Sequence, residues 1–401
     1  MNKLTEQALI DLSDVFKRVD GIALANQKKV LDAFIKNRIA LRHFAPTTGY
    51  GYDDVGRDTL NKLFADVFGT EDAIVSPLIT SGTHALTVAL FGLLRPNQTL
   101  LCATGKPYDT LNDVIFGDGI GSLKDFNVNC VIVPLKGGAP DLGGIKAKIR
   151  EIKPAVVAIQ RSRGYDMRPA LTVAQINEIT KLAKEFGCTV MVDNCYGEFT
   201  ETVEPSCADA LVGSLIKNPG GGIAPTGGYI CGSAAAIKQI EGRFTAPSIG
   251  REVGSYAGDY RLFYQGLFLA PHVTAQSVKT ALLFSEVFTK LGYETLPKPT
   301  DNVDDIICSV NFKDEQKLID FCKTVQSVSP VDSFASPEPW DMPGYNDKVI
   351  MAAGAFVQGS SIELSCDAPI RPPYTAYFQG GLTFEHGILA LEACLAALGI
   401  N

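Results

Sequence analysis

An aspartate, Asp193, closes the apolar run TVMVD, and Lys217 follows it 24 residues later inside a small-residue, glycine-rich stretch, GSLIKNPGGGIAPTGGYICG. A lysine amine can hold an aldehyde as a Schiff base. A buried carboxylate can keep a pyridine nitrogen protonated, so that the ring accepts electrons. Together these two residue types point to pyridoxal phosphate chemistry, with Asp193 and Lys217 as the pair. Upstream, AIVSPLITSGTHALTVALFGLLRP reads as strand, loop and helix, which puts Ser81, Gly82 and Thr83 at a helix N-terminus. Unpaired N–H groups and the positive end of the helix dipole favour a dianion there, and glycine allows close backbone approach. Ser214 ends the run ALVGS shortly before Lys217. Tyr108 follows the run TLLCA, where its ring is placed to stack on a pyridine.

Each of these residues also has an ordinary structural role. Ser81 or Thr83 can simply cap a helix, Asp193 can cap the element after its strand, Tyr108 can pack on a neighbouring loop, and Lys217 can sit on a surface loop. A lysine isolated among apolar and glycine residues, away from any run of charge, is better explained by function than by solubility. Competing schemes find less support. The histidines at 43, 84, 272 and 386 have no metal-ligand spacing, so no metal is expected. There is no glycine-rich dinucleotide fingerprint after a strand, no P-loop pattern and no nucleophile elbow.

Elements that would position the pair follow from periodicity. Residues 3 to about 40 read as one or two amphipathic helices, followed by a loop at TTGYGYDDVGRD. From residue 73 to about 232, short apolar runs alternate with helical stretches: AIVS, TLLCA, CVIVP, AVVAIQ, TVMVD, ALVGS and GGYICG. That alternation predicts an α/β fold with a mostly parallel sheet covered by helices on both faces. Strand ends such as Asp193 then lie at the carboxyl edge, where such sheets bind ligands. A long helix is expected from Pro271 to about Leu291, bridging to a smaller C-terminal α+β domain built from DIICSVNF, DEQKLIDFCKTVQSV, VIMAAGAFV, SIELS and a last helix near Phe384 to Leu398. The domain boundaries expected are 1–60 for the N-terminal helices and loop, 61–290 for the large domain and 291–401 for the small one.

With 401 residues, 46% of them apolar, the chain can bury a sizeable core. A net charge of −8, with its bases scattered, gives no footprint for nucleic acid or an anionic membrane. The N-terminus has no signal-peptide core and no apolar run reaches spanning length, so a cytoplasmic location is expected. Ten cysteines without a CxxC pair read as buried free thiols.

The strings QRSRGYDMRP, VDNCYGEF, GSLIKNPGGG, MPGY at Met342 to Tyr345 and ELSCDAPIRPPY resemble one group of fold-type I pyridoxal phosphate enzymes of cysteine and methionine metabolism. That group is the methionine gamma-lyase-like, or aluminium resistance, subfamily, which is similar to cystathionine beta-lyases. The resemblance covers nearly the whole chain. It implies the three-layer pyridoxal phosphate-dependent transferase fold, with pyridoxal 5′-phosphate joined to Lys217, Asp193 at the pyridine nitrogen and Tyr108 stacked on the ring. The phosphate is then held by Ser81, Gly82, Thr83 and Ser214.

Tyr52 and Arg57 of a neighbouring subunit complete the phosphate site in this reading, with Tyr50 a rival to Tyr52. The chain departs from the group where an arginine is expected to hold the substrate carboxylate, because Glu363 stands there. Arg371 is the substitute, with Arg163 and Arg161 as competitors. The implied reaction is carbon–sulfur bond cleavage in a sulfur amino acid by β- or γ-elimination. Lys217 removes the Cα proton, and Tyr108 or Tyr196 protonates the sulfur. Transamination, racemisation, aldol cleavage and a non-catalytic tolerance protein are the alternatives. The implied assembly is a homodimer at least, with a homotetramer typical of the group.

Overall fold

The computed structural model describes every residue except Gly344 and Asn401. Gly344 of the MPGY string thus lies outside the described residues. The apolar runs form β1 (Asp72–Ser76), β2 (Thr99–Cys102), β3 (Asn129–Ile132), β4 (Val156–Gln160), β5 (Thr189–Asp193), β6 (Ala210–Ser214) and β7 (Gly228–Gly232). They assemble into one sheet in the order β1-β7-β6-β5-β4-β2-β3. Only β7 pairs antiparallel with its neighbours. Successive strand side chains point to opposite faces, and the core divides accordingly. Val190 and Val192 of β5 pack with the helices Val55–Phe68, Leu142–Ile152 and Val173–Lys184 on one face. Met191 packs with Gly82–Leu93 and Ala234–Phe244 on the other. This is the three-layer arrangement that the alternation of runs predicts.

The same period of two decides where the chemistry points. Asp193 follows Met191 at the even spacing of β5, and Ser214 follows Val212 in the same way on β6, so both face the side covered by helix Gly82–Leu93. Gln160, Asp193 and Ser214 end three adjacent strands at the carboxyl edge of the sheet.

The second sheet is antiparallel and holds β8 (Glu294–Leu296), β9 (Ile307–Asn311), β10 (Val349–Ala352), β11 (Ser365–Pro369) and β12 (Thr375–Gln379) in the order β10-β11-β12-β9-β8. Helices Glu315–Ser327 and Phe384–Ala397 share its core. The N-terminal helices Lys3–Asp11 and Ser13–Lys36 divide between the lobes: Ala8, Leu12 and Val19 enter the small core, whereas Val30 and Ala33 enter the large one.

Three expectations shift. The bridging helix is Arg261–Lys290, so Pro271 lies inside it rather than at its start. A proline in a helix interior costs about 3 kcal/mol. Burial of Phe263, Tyr264, Leu267 and Ala270 in the large core outweighs that cost on the upstream side. The strand expected at SIELS begins only at its last residue, Ser365. The preceding segment is held as a loop by the Glu363 carboxylate, which accepts the N–H groups of Phe356 and Val357 at 2.9 Å each. Finally, the ten cysteines are free thiols as expected, but Cys207 is exposed. No helix among the described residues is long and apolar enough to cross a membrane.

Candidate active site

Above the carboxyl edge lies a cavity of about 250 Å³ whose lining includes Ser81–Thr83, Tyr108, Asp193, Tyr196, Ser214 and Lys217. Ser81 caps helix Gly82–Leu93, its hydroxyl accepting the His84 N–H at 3.0 Å. The capping role and a ligand role coexist, because the Gly82 and Thr83 N–H groups are among the four that no helix satisfies internally. A Cβ on Gly82 would stand 3.4 Å from Ser214 Cβ and 3.6 Å from Cys195 Sγ, so the hydrogen of glycine keeps this end of the cavity open.

Lys217 is carried on the turn that leaves β6. Its neighbour Asn218 pins that turn, donating to the carbonyl oxygens of Tyr196 (3.0 Å) and Glu198 (2.9 Å). Gly220 is required by packing, since a Cβ there would meet Leu215 O at 1.8 Å. The Lys217 amine donates to Gly359 O at 2.9 Å and to Ser361 Oγ. Ser361 Oγ in turn donates to Tyr196 Oη at 3.0 Å. The amine lies 5.1 Å from the centroid of the Tyr196 ring. Burial pushes the Lys217 pKa below the usual lysine value, opposed by the negative potentials of Cys195 and Asp367. A depressed lysine pKa is what an amine nucleophile or base requires at neutral pH.

Asp193 has its pKa pushed up to about 6 by burial, against the Cys195 N–H bond at 3.2 Å and the Arg168 charge. No salt bridge to Asp193 occurs among the described residues. A carboxylate lacking a cation at the floor of a cavity, with a lysine and a helix N-terminus on the walls, matches what pyridoxal 5′-phosphate needs. Asp193 would take the pyridine nitrogen, Lys217 the aldehyde, and the Ser81–Thr83 turn with Ser214 the phosphate. Tyr108 lines the same space.

The arginines sort differently. Arg163 is buried and paired: Nε and Nη2 meet Asp305 at 3.1 and 3.0 Å, and Nη1 donates to Leu296 O at 2.7 Å. Three of its five N–H donors are thereby engaged, tying the large domain to the small one, and it also lines the cavity bordered by Arg371, with its charge already matched by Asp305. Arg161 is buried with both Nη atoms engaged, by Asn194, Thr200, Glu201 and Glu204, while its Nε has no partner among the described residues. Arg371 pairs with Asp347 at 2.7 Å and lines an adjoining cavity of about 200 Å³ that also touches Tyr108 and Gln160. Tyr52 and Tyr50 lie outside the cavity, exposed, with ring centroids 5.4 Å apart. Arg57 is turned into its own chain, donating to Gly51 O and Asp58 at 2.9 Å.

Sequence reasoning missed several neighbours. Tyr345 Oη meets Tyr108 Oη at 2.7 Å. Ser361 links Lys217 to Tyr196. Asp367 on β11 lines a further recess beyond Lys217. The strings MPGY and ELSCDAPIRPPY, which carry Tyr345 and Asp367, and SIELS, which begins at Ser361, were visible, but which side chains turned inward was not.

A seven-stranded sheet inverted only at β7, with a lysine, a strand-end aspartate and a helix N-terminus around one cavity, defines the three-layer fold of the pyridoxal phosphate-dependent transferases. The chain belongs to the methionine gamma-lyase family, whose profile matches residues 1–399, and its cofactor is pyridoxal 5′-phosphate. It is similar to a carbon–sulfur lyase involved in aluminium resistance from Clostridium novyi NT, with 49% identity and a TM-score of 0.95 over 99% of this chain and 95% of that one. It is 48% identical to the uncharacterised protein YnbB of Bacillus subtilis (strain 168), over 96% of this chain and 93% of that protein. The pyridoxal-5′-phosphate dependent protein YhfS of Escherichia coli shares the fold at 16% identity, with a TM-score of 0.64 over 94% of this chain and 96% of that one.

Proposed function

We propose that this protein is a carbon–sulfur lyase that cleaves a sulfur amino acid by β- or γ-elimination. The observation that carries the reading is the convergence of the Lys217 amine, the unpaired Asp193 carboxylate and the Ser81–Thr83 turn on one cavity. Bound pyridoxal phosphate supplies the electron sink for bond breaking at the substrate α-carbon.

The protein's own groups do the rest. Ser81, Gly82, Thr83 and Ser214 hold the phosphate, and Asp193 keeps a proton at the pyridine nitrogen. The Lys217 amine would hold the cofactor and, when free, would take the Cα proton; burial holds its pKa below the usual lysine value, which favours the neutral amine such a role needs. Tyr196 is the better placed acid for the departing sulfur. Its oxygen accepts from Ser361, so its own proton remains free to give, and burial holds its pKa far above neutrality so that the proton is present. Tyr108 shares its hydroxyl with Tyr345 and serves the ring. Arg371 receives the substrate carboxylate from the adjoining cavity, where a guanidinium offers a two-pronged match. The C–S bond breaks, the sulfur takes a proton and leaves as a thiol, and the unsaturated amino acid that remains is hydrolysed by one water to a keto acid and ammonia.

Borohydride reduction of the purified protein followed by peptide mass spectrometry tests the reading. The label is expected on Lys217, with thiol and keto acid formed from cystathionine, cysteine or methionine, and Lys217→Ala is expected to abolish both. A label elsewhere, or labelled protein that forms no thiol from any of the three, would overturn it.

A further inference from the structure

Beyond Lys217 the cavity continues into a smaller recess of about 100 Å³, which shares Tyr108, Tyr196, Lys217 and Tyr345 with the cofactor space and extends between β10, β11 and β12. At a liquid share of about 30 Å³ per water it has room for about three heavy atoms. Its walls carry polar groups that the described residues answer only in part. Asp367 is 7% exposed, and its Oδ2 accepts from Gln379 Nε2 at 3.1 Å, whereas Oδ1 has no hydrogen-bond partner among the described residues. The hydroxyls of Ser360 and Ser365, both lining the recess, are also unpartnered, whereas the Tyr165 hydroxyl lies close enough to Asp367 to lower its pKa as a donor without meeting Oδ1 at hydrogen-bond distance. Ser365 and Asp367 alternate on β11, so the strand turns both to one side, while Cys366 between them packs into the small core.

A buried carboxylate with one oxygen tied and the other free costs several kcal/mol unless a donor or cation completes it. Lys217 is the only cation lining the recess among the described residues, and it makes no ion pair with Asp367 there, its amine donating instead to Gly359 O and Ser361 Oγ. We infer that the recess is a subsite for an ammonium group carried on the sulfur side of the substrate, gripped by Asp367 and by the Ser360 and Ser365 hydroxyls. The inference rests on the lyase reading and narrows its substrate class. The preferred sulfur amino acid bears a short, amine-terminated thiol as its leaving group rather than a bare alkyl thiol. Gln379 sets the orientation of the carboxylate and so positions the grip.

A matched pair of compounds isolates the charge. S-(2-aminoethyl)cysteine and S-propylcysteine differ only in a terminal ammonium against a methyl group, and the homocysteine pair covers γ-elimination. The holoenzyme is expected to favour the ammonium member in kcat/KM by about tenfold or more, as for a desolvated charge-assisted contact. Asp367→Asn keeps the shape and a partner for Gln379, and is expected to erase that preference while leaving the propyl compound within about threefold. Lysine and 2-aminoheptanoate carry a methylene in place of the sulfur and cannot eliminate. Calorimetric binding of these two therefore reads the subsite without turnover, and the same preference, lost in Asp367→Asn, is expected. If neither sulfur compound is cleaved, the calorimetric pair still decides the subsite, while the lyase reading stands or falls separately on thiol release from cystathionine, cysteine or methionine. Equal binding of lysine and 2-aminoheptanoate, or a preference that survives Asp367→Asn, would overturn the inference.

Discussion

Asp193 is held at a pKa of about 6 because burial penalises its charged form more than the Cys195 N–H bond and Arg168 relieve it. That value lies above the ~3.9 of an aspartate in an unfolded chain, so the native protein without cofactor binds the proton more tightly than the unfolded one does. The contribution of this one group to stability is therefore greatest below about pH 4 and is lost as pH rises from there through 6, by about 3 kcal/mol for a two-unit difference. Asp193→Asn removes the penalty. Stripped of cofactor, the variant is expected to melt above the parent at pH 8 and level with it at pH 4. With cofactor bound the order is expected to reverse at pH 8, and elimination to fall, because the carboxylate then has its cation; scanning calorimetry at the two pH values checks both. Asp193 and Lys217 were legible from the chain because local pattern alone, a strand end and a glycine-rich turn, singles them out. Asp367 was not, since its meaning depends on a vacant oxygen and a Gln379 contact across two strands of the small sheet.

Among the elements, the loop after β4 carries the strongest tie between the lobes. Arg163 and Asp305 meet in a two-pronged contact with both side chains almost wholly buried, at 2% and 0% exposure. Removing one partner strands the other charge, which costs about 3–5 kcal/mol. Arg163→Ala is thus expected to lower the urea midpoint strongly. Arg163→Met with Asp305→Asn is expected to recover much of the loss, since neither change leaves an orphan charge, and equilibrium unfolding of the three proteins checks this. The seven strands of the large sheet were readable as short, continuous apolar runs between helical stretches, including β7, which is buried though antiparallel, and β3, which lies partly exposed at the sheet edge. The small sheet was read less well. SIELS has the composition of a strand, yet the Glu363 carboxylate diverts its backbone bonds into a loop. The arginine contacts bind positions more than 130 residues apart, which no local pattern reveals.

At the scale of the molecule, Tyr50 and Tyr52 stand 70% and 65% exposed in a loop that does not line the active-site cavity of its own chain. Large aromatic rings presented together to solvent are what a two-fold interface covers. The protein is expected to be at least a dimer whose sites are completed by these tyrosines, and mixing subunits provides the check. Tyr52→Ala and Lys217→Ala proteins, each impaired alone, are expected to regain part of the activity when refolded together, because one site of the hybrid then has both its lysine and its neighbouring tyrosine. Light scattering of the parent protein gives the mass. The long helix Arg261–Lys290 has a further bearing on how such an enzyme can diversify. Its first turns are rooted beneath the large sheet and its last turns beneath the small one. A graft that swaps the substrate-selecting lobe between relatives therefore has to splice within this shared beam, and Pro271, where the ladder of backbone bonds is already interrupted, is the natural seam.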